Sequence, residues 1–371
     1  MAESKKIQDK IDAIELELSR TQINKATMHH ICLLKARLAS LKREIIEVAS
    51  KKAGGPGIGW EVKRSGDARI GLFGFPSVGK STLLNALTGQ DSKVGAYEFT
   101  TLTPIPGILN IHGAKIQILD LPGIIEGAAD GAGRGKQVIS IARTCSLILM
   151  VLDGVKSLDL LKILERELNE YGIKLNKSPP KIRIDKRDRN GIAITSSVAQ
   201  PYLSTELVES IMKAQYHIYH AVVHFDEVVT IDDLIDVLEG NRVYIRCIYV
   251  INKVDQLWPG HIEILKQRPH SICVSAHSGY NLSELVNRIW DELSLIRVFT
   301  QPKGCPPDPD PLVLSKDRCT IQDFCNKIHT DVIKRFKYAW VTGKSVKQKV
   351  EKKGLQHVLM DGDTVTLILS G

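Results

Sequence analysis

Residues Gly74 to Ser81 read GFPSVGKS, a G-x-x-x-x-G-K-[ST] spacing with an apolar segment before it and helix-forming residues after it. Residue types at this spacing can hold a phosphate chain. Gly74 and Gly79 let backbone N–H groups turn inward at a helix N-terminus, Lys80 neutralises β- and γ-phosphates, and Ser81 offers a hydroxyl to Mg²⁺. The expected cradle is Gly74, Phe75, Pro76, Ser77, Val78, Gly79, Lys80, Ser81 and Thr82. A glycine-rich turn that binds nothing has no need of a strand and a helix on its two sides, so the flanks favour the phosphate reading.

A phosphate cradle does not choose a base, but NKVD, Asn252 to Asp255, can. The Asp255 carboxylate can accept from the guanine N1–H and exocyclic amine. Adenine has no such donor pair and would leave the carboxylate unpaired, a mismatch that can discriminate by about 10⁴. Asn252 is expected to support the base edge and the loop, and the Lys253 stem to pack over the ring. In SAHSG, Ser275 is expected to brace its loop and the Ala276 N–H to meet guanine O6. Each tetrapeptide is common by accident; their order and strand-end placement are what make the set specific.

Two further segments can sense a γ-phosphate. In YEFTTLTPIPG, Thr101 is expected to give its hydroxyl to Mg²⁺ and its N–H to the phosphate, with Thr100 as the alternative. In DLPG, Asp120 is expected to hold the Mg²⁺ shell through water and the Gly123 N–H to bind the γ-phosphate. Lys80, Thr101 and Gly123 are therefore the candidate catalytic groups, and Ser81, Thr101 and Asp120 the candidate metal ligands. Glycine-rich GIIEGAADGAGRGK then follows as a switch. Ile124 stands where a Ras-type switch carries its water-orienting Gln. An aliphatic side chain cannot orient water, so backbone groups, a monovalent cation or a macromolecular partner must do it.

These motifs need strand ends and helix starts to hold them. From Ala68, strand patterns in ARIGLFGF, AKIQILDL, SLILMVLD, YIRCIYVINK and SICVSA alternate with helical STLLNALTG and NLSELVNRIWDEL, which predicts a parallel α/β sheet with crossovers. Between Tyr171 and Gly240 the chain is too long for one crossover. PPKIRIDKRDRNGIAITSSV predicts a β-hairpin about its Asn-Gly and ELVESIMKAQYHIYHAV a helix, so an inserted α+β subdomain is expected. HIYHAVVH places His217, His220 and His224 within reach of a shared helical face, but no fourth ligand is nearby and packing histidines are expected.

Ahead of the sheet, Ile7, Ile11, Ile14 and Leu18, then Ile31, Leu34, Leu38, Leu41, Ile45 and Val48, predict two helices joined by TQINKAT, the first short and the second about twice as long. AGGPGIG, Ala53 to Gly59, reads as a linker. Lys25, Lys35, Arg37, Lys42 and Arg43 lie on the polar face, available for RNA or a partner helix, or simply solvated. Pro-rich QPKGCPPDPDP marks a boundary before a small C-terminal domain of strands around a helix.

The net charge of +8 is uneven: residues 1–65 and 297–371 each carry 13 Lys and Arg against 8 Asp and Glu, while the middle is slightly acidic. Basic ends around a near-neutral centre suggest polyanion contact at the ends and chemistry between them, while charge alone fits ordinary solvated Lys and Arg equally. Seven cysteines without a CxxC pair indicate neither a disulfide framework nor a zinc ribbon. With no apolar run approaching the ~20 residues of a membrane span and no signal-peptide core, the expectation is a cytoplasmic protein without membrane contact.

GDARIGLFGFPSVGKSTLLNALTG, AYEFTTLTPIPG, GAKIQILDLPGIIEGAADGAGRGKQVI, GNRVYIRCIYVINKVDQ and DFCNKIHTDVIKRFKYAWV together resemble the developmentally regulated GTP-binding proteins, the DRG or Rbg branch of the Obg-related translation-factor-class GTPases. The similarity runs over nearly the whole chain. It implies an α/β architecture: a helix-turn-helix hairpin and linker (1–65), a Ras-like P-loop GTPase domain in two parts (66–170 and 241–296), an insertion resembling ribosomal protein S5 domain 2 (171–240), and a β-grasp TGS domain (297–371). The implied activity is that of a Mg²⁺-dependent GTPase, with K⁺ a candidate second cofactor; Ile124 adds the expectation of slow turnover, and the GTPase core is expected to be monomeric. Ribosome or rRNA contact through hairpin and TGS domain, a role in translation, and a DRG-family regulatory protein as partner are likewise implied. The chain departs from the pattern at Ser77, where many Obg relatives have Asn beside the K⁺ position, and at TGKSVKQKVEKKGLQ, where Trp-Gly and His-Pro are usual. Two other readings remain open: a nucleotide-gated RNA or cytoskeletal adaptor, and a GTP-dependent ribosome assembly factor.

Overall fold

Every residue of β1 (Ala68–Phe73) is buried, as a central parallel strand covered on both faces requires. Its one charge, Arg69, stays paired: Nε donates to Gln117 Oε1 at 2.9 Å and a terminal nitrogen to Thr144 Oγ1 at 2.7 Å. The computed structural model describes residues 2–22, 24, 27–52, 66–89, 105–121, 141–156, 159–170, 172–302 and 304–369. Lys25, the linker at 53–59, the TTLTP stretch with Thr100 and Thr101, and the switch residues Gly123 and Ile124 lie outside them. The chain forms two compact units, Met1–Gly59 with Asn169–Tyr244, and Trp60–Leu168 with Ile245–Gly371.

In the second unit β1 is joined by β2 (Ile105–Ile111), β3 (Ala114–Asp120), β4 (Leu147–Asp153), β9 (Val243–Asn252) and β10 (Ser271–Cys273), in the order β10-β9-β4-β1-β3-β2. All pair in parallel except β2, which runs antiparallel to β3 at the edge. The five parallel strands are those expected from the apolar runs, whereas ILNI of β2 carries no clear strand signal, because Pro106 and Gly107 interrupt its pattern. Pro is tolerated at an edge, and Gly107 lets helix α3 (Lys80–Thr88) sit close: a Cβ there would lie 2.7 Å from Leu84 and Thr88 side-chain carbons. Helix α4 (Asp159–Glu170) and the short strand β5 (Ile173–Leu175) follow β4 in the chain, helix α7 (Pro259–Lys266) joins β9 to β10, and helix α8 (Leu282–Leu293) covers the sheet with Leu285, Ile289 and Leu293.

Only Ser294 separates α8 from β11 (Leu295–Thr300), which opens a second sheet with β12 (Leu312–Ser315), β13 (Phe336–Thr342), β14 (Glu351–Lys353) and β15 (Asp363–Leu369), ordered β12-β11-β15-β13-β14. β11 and β15 are parallel, the other pairs antiparallel, and α9 (Ile321–Ile328) fills one face with Phe324 and Cys325. This is the β-grasp arrangement the resemblance implies. Val313 of β12 is 2% exposed and packs in the core of the first sheet, with Leu295 against it. His112 and Gly113 form the two-residue β2–β3 turn with φ of 48° and 84°. His112 stacks edge-on against Trp290, and a Cβ on Gly113 would lie 2.7 Å from Pro311. Lys327 bonds Asp67 at 2.6 Å and also the Val313 carbonyl. Arg297 lies over Trp290 and holds both carboxylate oxygens of Asp361, and that hydrogen bonding depresses the Asp361 pKa. Its stabilisation is therefore present above the usual carboxylate pKa and is lost as pH falls through the depressed value. Val313→Ala is expected to destabilise by about 2 kcal/mol, from two lost methyl groups plus a cavity. Denaturant unfolding would show it as a lower midpoint for the GTPase sheet and the β-grasp sheet together.

In the first unit α1 (Ala2–Arg20) and α2 (Met28–Lys52) form the expected hairpin, packed through Ile7, Ile11, Ile14, Ile31 and Leu34. At 19 and 25 residues they differ less than the apolar stripes predict, because polar helix formers such as Glu3, Lys5 and Lys6 prolong α1. The other side of α2, with Cys32 and Ala36, packs into the core formed by α5 (Thr205–Tyr216), α6 (Ile231–Glu239) and the sheet β6 (Ile182–Lys186), β7 (Ile192–Ser196), β8 (Ala221–Phe225). Hairpin and insertion therefore share one core. Several of the hairpin's cations are engaged there: Lys35 with Asp232, Arg43 with Glu239, and Lys42 with Glu15 within the hairpin.

Two expectations about the insertion are corrected. β6 and β7 are not hairpin partners: β8 lies between them, antiparallel to β6 and parallel to β7. Asn190 and Gly191 do take positive φ, but residues 187–191 carry the chain across the width of one strand. Apolar AVVHF takes the centre, and the charged strand IRIDK an edge. The helix also stops at Tyr216, with His217 as its left-handed cap, so HIYHAVVH crosses a turn into β8. His220 Nδ1 accepts from the Gly191 N–H, and His224 bonds Thr195 and Asp226. No cluster of three His, Cys, Asp or Glu among the described residues could hold a metal.

Candidate guanine-nucleotide site

Gly74 ends β1 at φ 154°, where a Cβ would stand 2.3 Å from the Val151 carbonyl oxygen, so the chain can turn only as glycine. Phe75, Pro76, Ser77 and Val78 complete the turn, with Ser77 left-handed at φ 63°. Gly79 caps α3 at φ 93° without a side-chain hydrogen bond, which leaves the helix N–H groups and the positive end of its dipole facing outward. Ser81 and Thr82 are exposed in the first turn. Lys80 folds back over the loop, donating to the Gly74 and Phe75 carbonyls at 2.9 Å each. Burial drags its pKa down while the Asp120 charge pulls it up, the net direction being down.

Ser81 Oγ donates to Asp120 Oδ2 at 2.6 Å, while Asp120 Oδ1 is buried without a hydrogen-bond partner among the described residues. The Ser81 hydroxyl and the Asp120 carboxylate, one of whose oxygens is buried and unsatisfied among the described residues, are hard-oxygen donors that suit Mg²⁺, which is commonly held by one or two carboxylates plus phosphate oxygens. The fit therefore holds for the two described candidates; Thr101 and Gly123 lie outside the described residues.

The base-side motifs meet the phosphate loop through Asn252, which is 2% exposed. Its Nδ2 donates to the Val78 carbonyl at 3.0 Å and its Oδ1 accepts from the Ala276 N–H at 3.0 Å. One amide thus links three loops. Gly79 makes room for it, because a Cβ there would approach Asn252 Nδ2 to 2.5 Å. Ser275, fully buried, accepts from the Ser278 N–H and so braces the SAHSG turn. Asp255 is exposed on the short 3₁₀ turn Val254–Gln256.

Lys253, left-handed at φ 64°, reaches across with its ammonium to the Ser77 carbonyl and to Asp153 Oδ2, both at 2.8 Å. No motif in the sequence marks Asp153. Burial pushes its carboxyl up, but the Lys253 hydrogen bond and the Val155 N–H outweigh this and hold it below the usual range. Its signal is a lone carboxylate closing the apolar run Leu147–Leu152 at a strand C-terminus, where ligands of α/β sheets gather.

Comparison with known proteins agrees with this arrangement. Residues 69–186 match the 50S ribosome-binding GTPase family, 189–295 the C-terminal region of the MMR_HSR1 domain, and 296–369 the TGS domain. "Developmentally-regulated GTP-binding protein 1" of Xenopus laevis is 53% identical over 97% of this chain and 98% of its own. "Developmentally-regulated G-protein 3" of Arabidopsis thaliana is 50% identical over 98% of each chain. "Ribosome-interacting GTPase 1" of Saccharomyces cerevisiae is 49% identical over 97% of this chain and 98% of its own.

Proposed function

The chain belongs to the developmentally regulated GTP-binding protein family, and from that premise we propose that it is a slow GTP-hydrolysing switch that associates with ribosomes and supports translation in the cytoplasm. The observation carrying the nucleotide reading is Asn252, whose amide joins the Val78 and Ala276 loops around one space. In this reading Gly74 to Thr82 bind the phosphates, and Asp255 with the Ala276 N–H reads the guanine. Lys80 shifts from the loop carbonyls to the phosphates. Ser81, Asp120 and Thr101 hold Mg²⁺, which supplies charge neutralisation at the phosphate oxygens. The Gly123 N–H meets the γ-phosphate. Whether K⁺ contributes with Ser77 in place of the Asn of many relatives is read by comparing turnover in potassium and sodium buffer.

Ile124 makes the switch dependent on outside help. With no side-chain group to orient water, turnover alone is expected to be slow and to rise when a ribosome or a DRG-family regulatory protein is added. The support for ribosome association is the TGS domain, the basic ends and the yeast relative's name. Ribosome pelleting with the full chain in a non-hydrolysable GTP analogue and in GDP, with phosphate release measured in parallel, tests the reading. Co-sedimentation that depends on nucleotide, together with ribosome-stimulated release, is the expected result. Preference for ATP, or nucleotide-independent absence from the ribosome pellet, would count against it.

A further inference from the structure

Alternation along β13 turns Ala339 and Val341 into the core beside α9 and Tyr338 and Trp340 to the opposite face. Trp340 is 40% exposed. Tyr338 stands edge-on to it, ring centroids 5.8 Å apart at 90°. Lys352, directly across from Trp340 in the β13–β14 register, holds its ammonium 4.0 Å from the Tyr338 ring centroid. A braced indole therefore lies open on a sheet face with a cation beside it.

Charge is concentrated at the same edge. Residues 334–353 carry eight Lys and Arg against Glu351 alone, whereas the rest of 297–371 carries five against seven acids. Lys344, Lys347, Lys349 and Lys352 are exposed. Glu351 is engaged by Lys353 and by the N–H groups of Lys347 and Gln348, which also fixes the course of the connection between the strands. Solvated lysines alone would indicate any polyanion. The exposed indole narrows the choice, since an acidic peptide needs only the cations and a duplex keeps its base faces stacked inside.

We propose that this face of the TGS domain binds single-stranded RNA, Trp340 stacking a base while the lysines from Lys344 to Lys352 follow the phosphates. The choice of RNA as the polyanion rests on the ribosome-associating reading. Stacking on an aromatic is tolerant of sequence, so the site selects strandedness rather than a particular base.

Anisotropy of a fluorescein-labelled RNA of about 12 nucleotides, single-stranded and as a duplex, titrated with the full chain at several salt concentrations, tests this. The single strand is expected to bind more tightly than the duplex. Trp340→Ala should weaken it about tenfold with the salt slope unchanged, and Trp340→Phe should restore most of the loss. Lys347→Ala with Lys349→Ala should lower the logarithmic salt slope by about 1.4 while keeping the single-strand preference. Equal binding of duplex, unchanged affinity in Trp340→Ala, or displacement by polyglutamate as readily as by RNA would overturn the proposal. Ribosome pelleting keeps the two readings apart. A chain that pellets but shows no Trp340 dependence refutes the stacking site alone. A chain with the predicted Trp340 dependence that never pellets refutes the ribosome reading alone.

Discussion

The Asp255→Asn chain is expected to exchange guanosine for xanthosine triphosphate as its preferred ligand, with GTP affinity lower by about 10⁴. Asp255 projects from a turn already formed: Lys253 is left-handed, and the Gln256 N–H bonds the Lys253 carbonyl at 3.1 Å. A carboxylate there presents two acceptors to the N1–H and amine of guanine. Asn replaces one acceptor with a donor, which clashes with the amine but matches the 2-oxo group of xanthine. Asp255 is exposed, so the exchange should leave the thermal midpoint unchanged. Competition of both triphosphates against a fluorescent nucleotide measures it, and GTP affinity retained within tenfold would remove Asp255 from the base site.

Asn252→Ala should behave in the opposite way, costing stability as well as affinity. Truncation leaves the Val78 carbonyl and the Ala276 N–H without their partner in a region 2% exposed, at about 1–3 kcal/mol for each orphaned group. A loss of about 3 kcal/mol is expected, with nucleotide affinity falling at least about tenfold as the loops lose their common tie. Differential scanning with and without GTP reports both. An unchanged midpoint in the absence of nucleotide would show that the loops hold their places without this amide.

Much of this site is legible in the residues. The glycine spacing at Gly74 and Gly79 states a backbone need that the structure meets at φ 154° and 93°, and the apolar runs place NKVD and SAHSG after strands. What sequence reasoning assigns less well are partnerships. The Lys253 stem is expected over a base, but that reading leaves open where its ammonium goes; it spans to Ser77 and Asp153, because the left-handed backbone at 253 aims it across the strand ends. The insertion misleads for a similar reason: Asn190-Gly191 specifies a turn, but not which strand fills the space beside it, and AVVHF enters from 30 residues further on. Val313 carries no signal of its destination, since a buried valine in a short strand fits either sheet equally well. Local pattern encodes elements; long-range burial decides their neighbours.

The β2–β3 turn has a mechanical consequence. His112 stacked on Trp290 and Gly113 seated at Pro311 pin the far end of a hairpin whose near ends lead to the two segments expected to sense the γ-phosphate. A two-residue slip of β2 along β3 would drag that turn off both anchors and break the ladder from Ile105 to Ile111. The pair is thus a beam clamped at one end. One clamp jaw, Trp290, belongs to the helix over the GTPase sheet and the other, Pro311, to the β-grasp segment, so the fixed end of the beam is shared by both sheets.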